Sequence, residues 1–148
     1  MNVPERHASV RVQRRVEWPD TDAAGHYHHS TVVRWVEAAE AVLFERLGLL
    51  PLFGRIPRVR YEVDYRARLW FGDLVDIEVA VAEVGRTSVR YAFEVRRGVD
   101  VAATGALVAV HSDPAADGVQ PWPSEARTAL TTAGPQPVET LERATGSG

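Results

Sequence analysis

Five segments of the chain have the pattern of strands, and four of them alternate between apolar and polar positions, which is typical of a sheet with one covered face. In the second segment, every odd position from Val59 to Leu69 is apolar and every even position from Arg58 to Arg68 is charged. The fifth segment is apolar on both sides, as expected of a strand inside the sheet. The alternation therefore predicts an antiparallel sheet. Its five strands are predicted over residues 8–18, 58–69, 73–84, 88–97 and 99–111.

Short turn sequences separate the last four predicted strands. Phe71-Gly72-Asp73, Gly85-Arg86 and Arg97-Gly98 are two or three residues long, and each contains a glycine. Turns of this length join neighbouring antiparallel strands. The last four strands are therefore predicted to form a meander whose charged outer face is solvated.

One segment has a helical period instead. From Ser30 to Leu47 the apolar positions leave only a narrow polar stripe. Ser30 or Thr31 can cap the start of this helix, and Gly48 follows its end. A helix this apolar must be buried on most of its circumference. The predicted order is one strand, one long buried helix and then four strands.

The composition narrows the chemistry that the chain can perform. It has 148 residues, 45% of them hydrophobic, which fits one domain with its own core. The absence of cysteine excludes disulfides, thiol nucleophiles and cysteine-ligated metal centres. All 17 basic residues are arginine, which excludes Schiff-base and P-loop lysines. Catalysis must therefore use Asp, Glu, His, Ser, Thr, Tyr, Arg or a bound cofactor.

The distribution of charge argues against a nucleic-acid or membrane partner. Residues 1–111 contain 15 acids and 15 arginines, so this part has no basic excess to attract nucleic acid. From Ser112 onward there are five acids and two arginines, which disfavours an anionic membrane surface. The longest nearly apolar stretch, Val101 to Val110, has ten residues and is too short to span a bilayer. Residues 1–6 lack an apolar signal segment, so a cytoplasmic location is expected.

The C-terminal part has a different composition from the rest. Residues 112–148 contain five of the nine prolines and four of the eleven glycines. A short helix is expected around Ser124–Leu130. We predict one domain over residues 1–131 and a disordered tail over residues 132–148.

The loop between the first strand and the helix holds the densest cluster of reactive side chains. Within ten residues it contains Asp20, Asp22, His26, His28 and His29. The loop leads into a helix N-terminus, where unpaired N–H groups and the helix dipole favour a developing oxyanion. A carboxylate, a helix N-terminus and a nearby imidazole are the groups that acyl-transfer hydrolysis needs.

The stretch Val16–Trp35 resembles the signature of the hotdog-fold acyl-CoA thioesterases. It carries Asp-x-Asp-x-x-Gly over Asp20–Gly25, then His29, and then the predicted helix. It is similar to the 4-hydroxybenzoyl-CoA thioesterase type, which includes the acyl-CoA thioesterases associated with the Tol–Pal system. Segments 69–73 and 85–88 are similar to the family's strand junctions. The resemblance implies an α+β hotdog fold, with a five-stranded antiparallel sheet wrapped around one long central helix.

The same resemblance implies roles for particular residues. Asp22 matches the family's catalytic carboxylate, which attacks the thioester carbonyl or activates a water for that attack. His29 matches the residue that opens the central helix and whose N–H polarises the thioester oxygen, a donor worth roughly 3–4 kcal/mol in other enzymes. Arg86, Thr87 and Ser88 match a region that contacts the pantetheine or nucleotide of CoA. Arginine suits a phosphate at such a place.

The activity that the resemblance implies is hydrolysis of an acyl-CoA to the free acid and CoA, without a metal or another cofactor. It also implies a homodimer or a homotetramer built as a dimer of dimers, with active sites at the subunit interface. His26 and His28 stand where the family usually has apolar or aromatic residues. A polar lining of this kind suits a polar or aromatic acyl group.

Three other functions remain open from the sequence. The substrate could be an acyl group on an acidic carrier protein, docked by the arginine-rich surface. The domain could bind acyl-CoA without hydrolysing it. It could also be a metal-dependent enzyme, because His26, His28 and His29 beside two aspartates are suitable ligands for zinc, nickel or non-haem iron.

Overall fold

The computed structural model describes residues 3–141 of the chain. Its main sheet consists of β1 (Ser9–Arg15), β2 (Arg58–Tyr65), β3 (Leu74–Val84), β4 (Ser88–Arg97) and β5 (Asp100–Val110). The other elements are helices α1 (His29–Arg46) and α2 (Ser124–Thr132), the small hairpin of β6 (Ser112–Asp113) and β7 (Gly118–Val119), and three short 3-10 helices at Trp18–Asp20, Leu50–Arg55 and Pro114–Ala116. The α+β class is confirmed, and no helix in this part of the chain is long and apolar enough to cross a membrane.

The five strands of the main sheet are antiparallel and lie in the order β1-β3-β4-β5-β2. The meander is confirmed for β3, β4 and β5, and the fully apolar β5 lies inside the sheet as predicted. It is wrong for β2, which pairs with β5 and not with β3. The connection over residues 66–73 carries the chain from β2, at one edge of the sheet, past β5 and β4 to β3. The short turn Phe71-Gly72-Asp73 had instead predicted a direct hairpin between β2 and β3.

The 18-residue helix α1 packs against β1 and β3. Its side chains Val32, Val36, Ala39, Leu43 and Phe44 are completely buried in the main hydrophobic core. The predicted burial of this helix is therefore confirmed for its sheet-facing side.

The N-cap of α1 lies two or three residues before the predicted cap positions, Ser30 and Thr31. His28 is the N-cap, and its Nδ1 accepts a hydrogen bond from the Ser30 backbone N–H at 3.1 Å. Ser30 and Thr31 lie inside the helix, so their assignment as caps is wrong. Histidine is not among the residues that commonly cap helices, so the usual preferences predicted the hydroxyl residues that follow it. Gly48 follows the end of the helix with φ +71°, as predicted.

Strand β2 departs from strict alternation at its beginning. A β-bulge between Arg58 and Arg60 turns Arg58 toward α1, where its guanidinium pairs with Glu40, and leaves Val59 60% exposed. The predicted outer position of Arg58 is therefore wrong, because one extra residue in a bulge reverses the side that a side chain faces. The strand also ends at Tyr65, four residues before the alternation does.

The segment that follows α2 lies along the free edge of β1. Gln136 N–H donates to Ser9 O at 2.7 Å, and the backbone of Glu139 exchanges hydrogen bonds with Arg11 and Gln13 at 3.0 and 2.9 Å. Residues 132–141 of the predicted tail thus have ordered backbone contacts. Their partner is the edge strand β1, and nothing in the sequence indicated that this edge had unpaired backbone groups. Residues 142–148 of that tail lie outside the described residues.

Candidate active site

The loop after β1 is fixed to the start of α1 by Asp20, whose side chain is buried. The two oxygens of this carboxylate accept from the Glu17 backbone N–H at 2.8 Å and from the Arg34 guanidinium at 3.0 Å. Its backbone carbonyl accepts from the Thr31 hydroxyl at 2.9 Å and from the His28 N–H at 2.6 Å. With both oxygens occupied, Asp20 has the contacts of a structural carboxylate.

Asp22 has a freer carboxylate than Asp20. One oxygen accepts from the Ala24 N–H at 2.8 Å, closing a tight turn, and the other has no hydrogen-bond partner within residues 3–141. The turn continues through Gly25, whose φ of +89° favours glycine, and returns where His26 O accepts from the Asp22 N–H at 2.9 Å. The loop therefore holds the Asp22 carboxyl in place while leaving one oxygen available.

His29 is the first residue of α1. Its backbone N–H has no acceptor inside the helix, because the first N–H groups of any α-helix lack one. The His28 imidazole caps the next N–H, that of Ser30, and the His29 N–H has no hydrogen-bond acceptor among the residues that the structure describes. The Tyr65 hydroxyl donates to the His29 carbonyl at 2.5 Å and fixes this first turn from the side of β2. The result is a donor of partial positive charge at a defined position.

Two tyrosines form one wall of the site. Tyr27 is 5% exposed, stacks on Trp35, and directs its hydroxyl at the carbonyls of Ala67 and Ala102, at 3.1 and 3.4 Å. Burial, with a smaller contribution from Tyr65, raises the pKa of Tyr27 to about 12. Burial also raises the pKa of Tyr65 above its ordinary value. Both phenols therefore stay neutral near pH 7 and serve as hydrogen-bond donors.

These groups surround one cavity of about 460 Å³. Its lining residues are Asp22, His26, Tyr27, His29, Tyr65, Arg66, Ala67 and Arg68. The structure thus brings together Asp22 and His29, the two residues that the sequence identified as catalytic candidates. A cavity that holds a carboxylate and a helix N-terminus can bind a carbonyl compound and polarise it.

The other predicted site residues lie elsewhere in the chain. Arg86, Thr87 and Ser88 are at the β3–β4 turn, at the far end of the eleven-residue β3 from the cavity. Their backbone carbonyls accept hydrogen bonds from the C-terminal part, at 3.1 Å from the Trp122 N–H, 2.7 Å from the His111 N–H and 2.9 Å from the Trp122 indole. Within one chain, these three residues and Asp22 do not share a site.

The rings of His28 and His29 lie next to each other, with their centroids 4.0 Å apart. His28 is used as the helix cap, and His26 packs edge-on against Trp70, with ring centroids 5.7 Å apart. Among residues 3–141, no three His, Asp or Glu side chains are grouped closely enough to hold a metal ion.

Sequence reasoning missed five residues that line the cavity, Tyr27, Tyr65, Arg66, Ala67 and Arg68. The last four were included in a long strand with a solvated charged face. The alternation continues through Leu69 after the strand itself has ended, so the pattern gives no signal of the change. Only their closeness to the predicted strand junction at 69–73 could have indicated them.

A second polar cluster is buried outside the cavity lining. Glu40 on α1 is completely buried, and its pKa is raised to about 7, chiefly by burial, although Arg58 and Tyr91 act in the opposite direction. The Arg58 guanidinium also stacks 5.2 Å over the ring of Phe53. The sequence did carry a signal for Glu40, because it lies four residues after Val36 on the buried side of the helix.

Comparisons with known proteins identify a related family. The sequence profile of the thioesterase-like superfamily matches residues 16–130. A search of curated proteins found no match.

Solved structures give further matches. A thioesterase from Thermus thermophilus, complexed with coenzyme A and Zn, is 28% identical with a TM-score of 0.75 over 81% of this chain and 90% of that one. A gentisyl-coenzyme A thioesterase is 26% identical with a TM-score of 0.74 over 81% of this chain and 98% of that one. A predicted thioesterase from Bacillus stearothermophilus is 26% identical with a TM-score of 0.76 over 82% and 93% of the two chains. The chain therefore belongs to the thioesterase-like superfamily of enzymes.

Proposed function

We propose that this protein hydrolyses an acyl-CoA thioester to the free acid and CoA. The observation that carries the proposal is that Asp22 and His29 line the same cavity. A thioester bound there would have a carboxylate near its carbonyl carbon and a backbone N–H donor for its carbonyl oxygen. A solved relative with coenzyme A bound and a gentisyl-coenzyme A thioesterase, at 28% and 26% identity, support CoA as the thiol half of the substrate.

In the first route, Asp22 acts as a general base. It takes a proton from a water molecule as the water oxygen attacks the thioester carbon. The carbonyl oxygen becomes an oxyanion that accepts from the His29 N–H, which contributes roughly 3–4 kcal/mol. The intermediate then expels the CoA thiolate, and the proton held by Asp22 returns to that sulfur.

In the second route, Asp22 is the nucleophile. Its free oxygen attacks the thioester carbon and releases the CoA thiolate, leaving an anhydride between Asp22 and the acyl group. Water then hydrolyses the anhydride to the free acid and regenerates the carboxylate, and the second proton of this water goes to the CoA thiolate. The His29 N–H would stabilise the oxyanion in both steps.

We also propose that the sheet wraps around α1 as a central helix. Two such chains would form a homodimer, or a dimer of dimers. The observation in favour is the edge strand β2, which pairs only on its β5 side within the described residues. Its Val59 and Tyr65 are 60% and 48% exposed. An open strand edge with exposed apolar side chains is a natural place for another copy to pair.

A second copy would also give the β3–β4 turn a route to the substrate. Arg86, Thr87 and Ser88 lie far from the cavity of their own chain, so a contact with CoA would have to come from another subunit. An arginine at that place suits a phosphate group of the nucleotide. A cytoplasmic location is part of the same proposal.

The test is an assay of thiol release from a panel of short, long, aromatic and hydroxylated acyl-CoA substrates. The variant is Asp22→Asn, which removes the charge and keeps the shape of the side chain. The matched control is Asp117→Asn, an exposed aspartate in the β6–β7 hairpin at a φ of +54° that asparagine also tolerates. Since the chain has no cysteine, the protein adds no thiol background.

We expect Asp22→Asn to lower kcat at least about a hundredfold, as loss of a general base or nucleophile does, while the control stays near the parent value. Equal activity of the parent and Asp22→Asn would refute the role of Asp22. Turnover of acyl-carrier substrates but not acyl-CoA would move the substrate to carrier proteins. Binding of acyl-CoA without any thiol release would favour a non-catalytic domain.

A further inference from the structure

Two arginines stand at the rim of the cavity immediately after β2. Arg66 and Arg68 are exposed, and both line the cavity that contains Asp22. Neither forms an ion pair with any acid of residues 3–141. By contrast, Arg58 at the start of β2 is paired with Glu40. The guanidinium groups of Arg66 and Arg68 are therefore available to a ligand.

The charge of the cavity lining favours an anion. The lining contains one acid, Asp22, against two guanidinium groups, and the imidazoles of His26 and His29 can add positive charge but no negative charge. Asp22 does not neutralise either arginine by direct contact. The lining therefore has a net charge of at least +1, and a negatively charged group on the ligand would be attracted to it.

The backbone that carries the two arginines is held firmly. The N–H groups of Arg66 and Ala67 both donate to the Ala102 carbonyl of β5, at 2.8 and 3.1 Å. The Ala67 carbonyl accepts from the Tyr27 hydroxyl at 3.1 Å, and the Leu69 carbonyl accepts from the Tyr27 N–H at 2.8 Å. The segment is thus fixed both to the sheet and to the loop that carries Asp22. The Cα positions of the two arginines are therefore fixed relative to the loop of Asp22.

We propose that Arg66 and Arg68 form a binding site for a negatively charged group of the thioester substrate, either a carboxylate on the acyl group or a phosphate of CoA. The inference rests on the proposed thioesterase function and adds the charge of the substrate to it. Guanidinium groups bind carboxylate and phosphate through paired, charge-assisted hydrogen bonds. The two arginines bind and orient the substrate, and Asp22 performs the chemistry.

The test uses four thioesters with acyl groups of one chain length. The acyl group is either neutral or ends in a carboxylate, and the thiol is either CoA or pantetheine, which lacks phosphate. The values of kcat and KM are measured for the parent, for Arg66→Gln, for Arg68→Gln and for the double variant. Arg11→Gln is the matched control, because Arg11 is an exposed arginine on β1 that does not line the cavity.

We expect the double variant to raise KM by about ten- to a hundredfold for the substrates that carry the recognised anion, with a much smaller effect on kcat. A rise confined to the carboxylate-ended acyl groups, on either thiol, assigns the site to the acyl half. A rise confined to the CoA thioesters, with either acyl group, assigns it to the phosphates. The neutral acyl-pantetheine should change least, and Arg11→Gln should behave as the parent.

Two outcomes would overturn the site. One is an unchanged KM in the double variant, and the other is an equal rise for all four thioesters, including the neutral acyl-pantetheine. If the parent hydrolyses none of them, the proposed function fails, and calorimetric titration with CoA and with succinate tests the anion site by itself. In that case at least tenfold weaker binding by the double variant would still support the site, and equal binding, or none by either protein, would refute it.

Discussion

At the scale of single residues, Glu40 is a carboxyl group held inside the core by one arginine. It is completely buried, and the β-bulge in β2 brings Arg58 to one of its oxygens while the other has no hydrogen-bond partner within residues 3–141. Removing a carboxylate from water costs more free energy than one partly exposed arginine returns. This is why burial dominates and the pKa of Glu40 is raised to about 7.

The raised pKa gives a prediction for stability. The ordinary pKa of a glutamate, about 4.3, applies to the unfolded chain, which loses this proton at lower pH than the folded chain does. The contribution of Glu40 to the free energy of unfolding is therefore complete below about pH 4 and is lost as the pH rises to about 7. It amounts to roughly 3 kcal/mol. Glu40→Gln removes the titrating group, so we expect its stability to fall less over this pH range.

Chemical denaturation of the parent and Glu40→Gln at several pH values between 4 and 8 measures this difference. Glu45→Gln is the control, since Glu45 lies exposed on the same helix and forms no ion pair within the described residues. Parallel curves for the parent and Glu40→Gln would show that Glu40 does not set the pH dependence.

Residues of the candidate site differ in how well the sequence could show them. Asp22 and His29 are seven positions apart in one loop, so a local motif was enough to single them out. Tyr65 and Arg66 reach the same cavity because β2 pairs with β5, and the Ala102 carbonyl of β5 accepts a hydrogen bond from the Arg66 N–H. No local pattern specifies that pairing. The half of the cavity that depends on it could not be predicted.

At the scale of elements, the start of α1 has two roles. The helix packs on the sheet, and its first residue, His29, lines the cavity. The His28 imidazole holds this first turn by accepting from the Ser30 N–H at 3.1 Å, with the Ser30 hydroxyl 2.8 Å from the same nitrogen. The helix cap and the candidate oxyanion donor are therefore adjacent residues.

Replacement of the cap should be measurable. His28→Ala leaves the Ser30 N–H without a partner from the protein, and we expect the free energy of unfolding to fall by about 1 kcal/mol. His28→Asn supplies a carbonyl oxygen that caps well, so it should recover most of this loss. Equilibrium denaturation of the two variants decides the point. If alanine and asparagine gave the same stability, the imidazole would not be acting as a cap.

The elements themselves were largely predictable, and their departures have local causes. The strand limits of β3, β4 and β5 agree with the predicted ones to within about one residue, because period-two alternation persists wherever one face stays buried. The bulge at Arg58 and the early end of β2 were not predictable. Apolar and charged residues keep alternating in the sequence there, although the backbone is bulged at Arg58 and is no longer a strand after Tyr65.

At the scale of the whole molecule, the segment after α2 closes one side of the sheet. Its backbone forms hydrogen bonds with Ser9, Arg11 and Gln13. In addition, Arg14 and Glu139 form an ion pair at 2.9 Å. Composition rich in proline and glycine predicted disorder over this segment. Contact with β1 supplies partners that composition does not reveal.

Truncation tests the contribution of this segment. Removal of residues 133–148 eliminates the bonds along β1, and we expect the free energy of unfolding to fall by about 1–3 kcal/mol. Removal of residues 142–148 alone is the control, and it leaves every one of these bonds in place. Thermal or chemical unfolding of both truncated chains measures the effect. Equal stability of the two would mean that the contacts along β1 add nothing to folding.

The covered edge at β1 has a consequence for how copies of this chain can associate. A sheet that is open on both sides can add neighbours without limit and grow into a polymer. Here the C-terminal segment occupies the β1 side from Ser9 to Gln13, and the outer side of β2 at the other end of the sheet is unpaired within residues 3–141. Two copies that met through β2 would each use up this side. Such growth would be self-limiting and would stop at a closed pair.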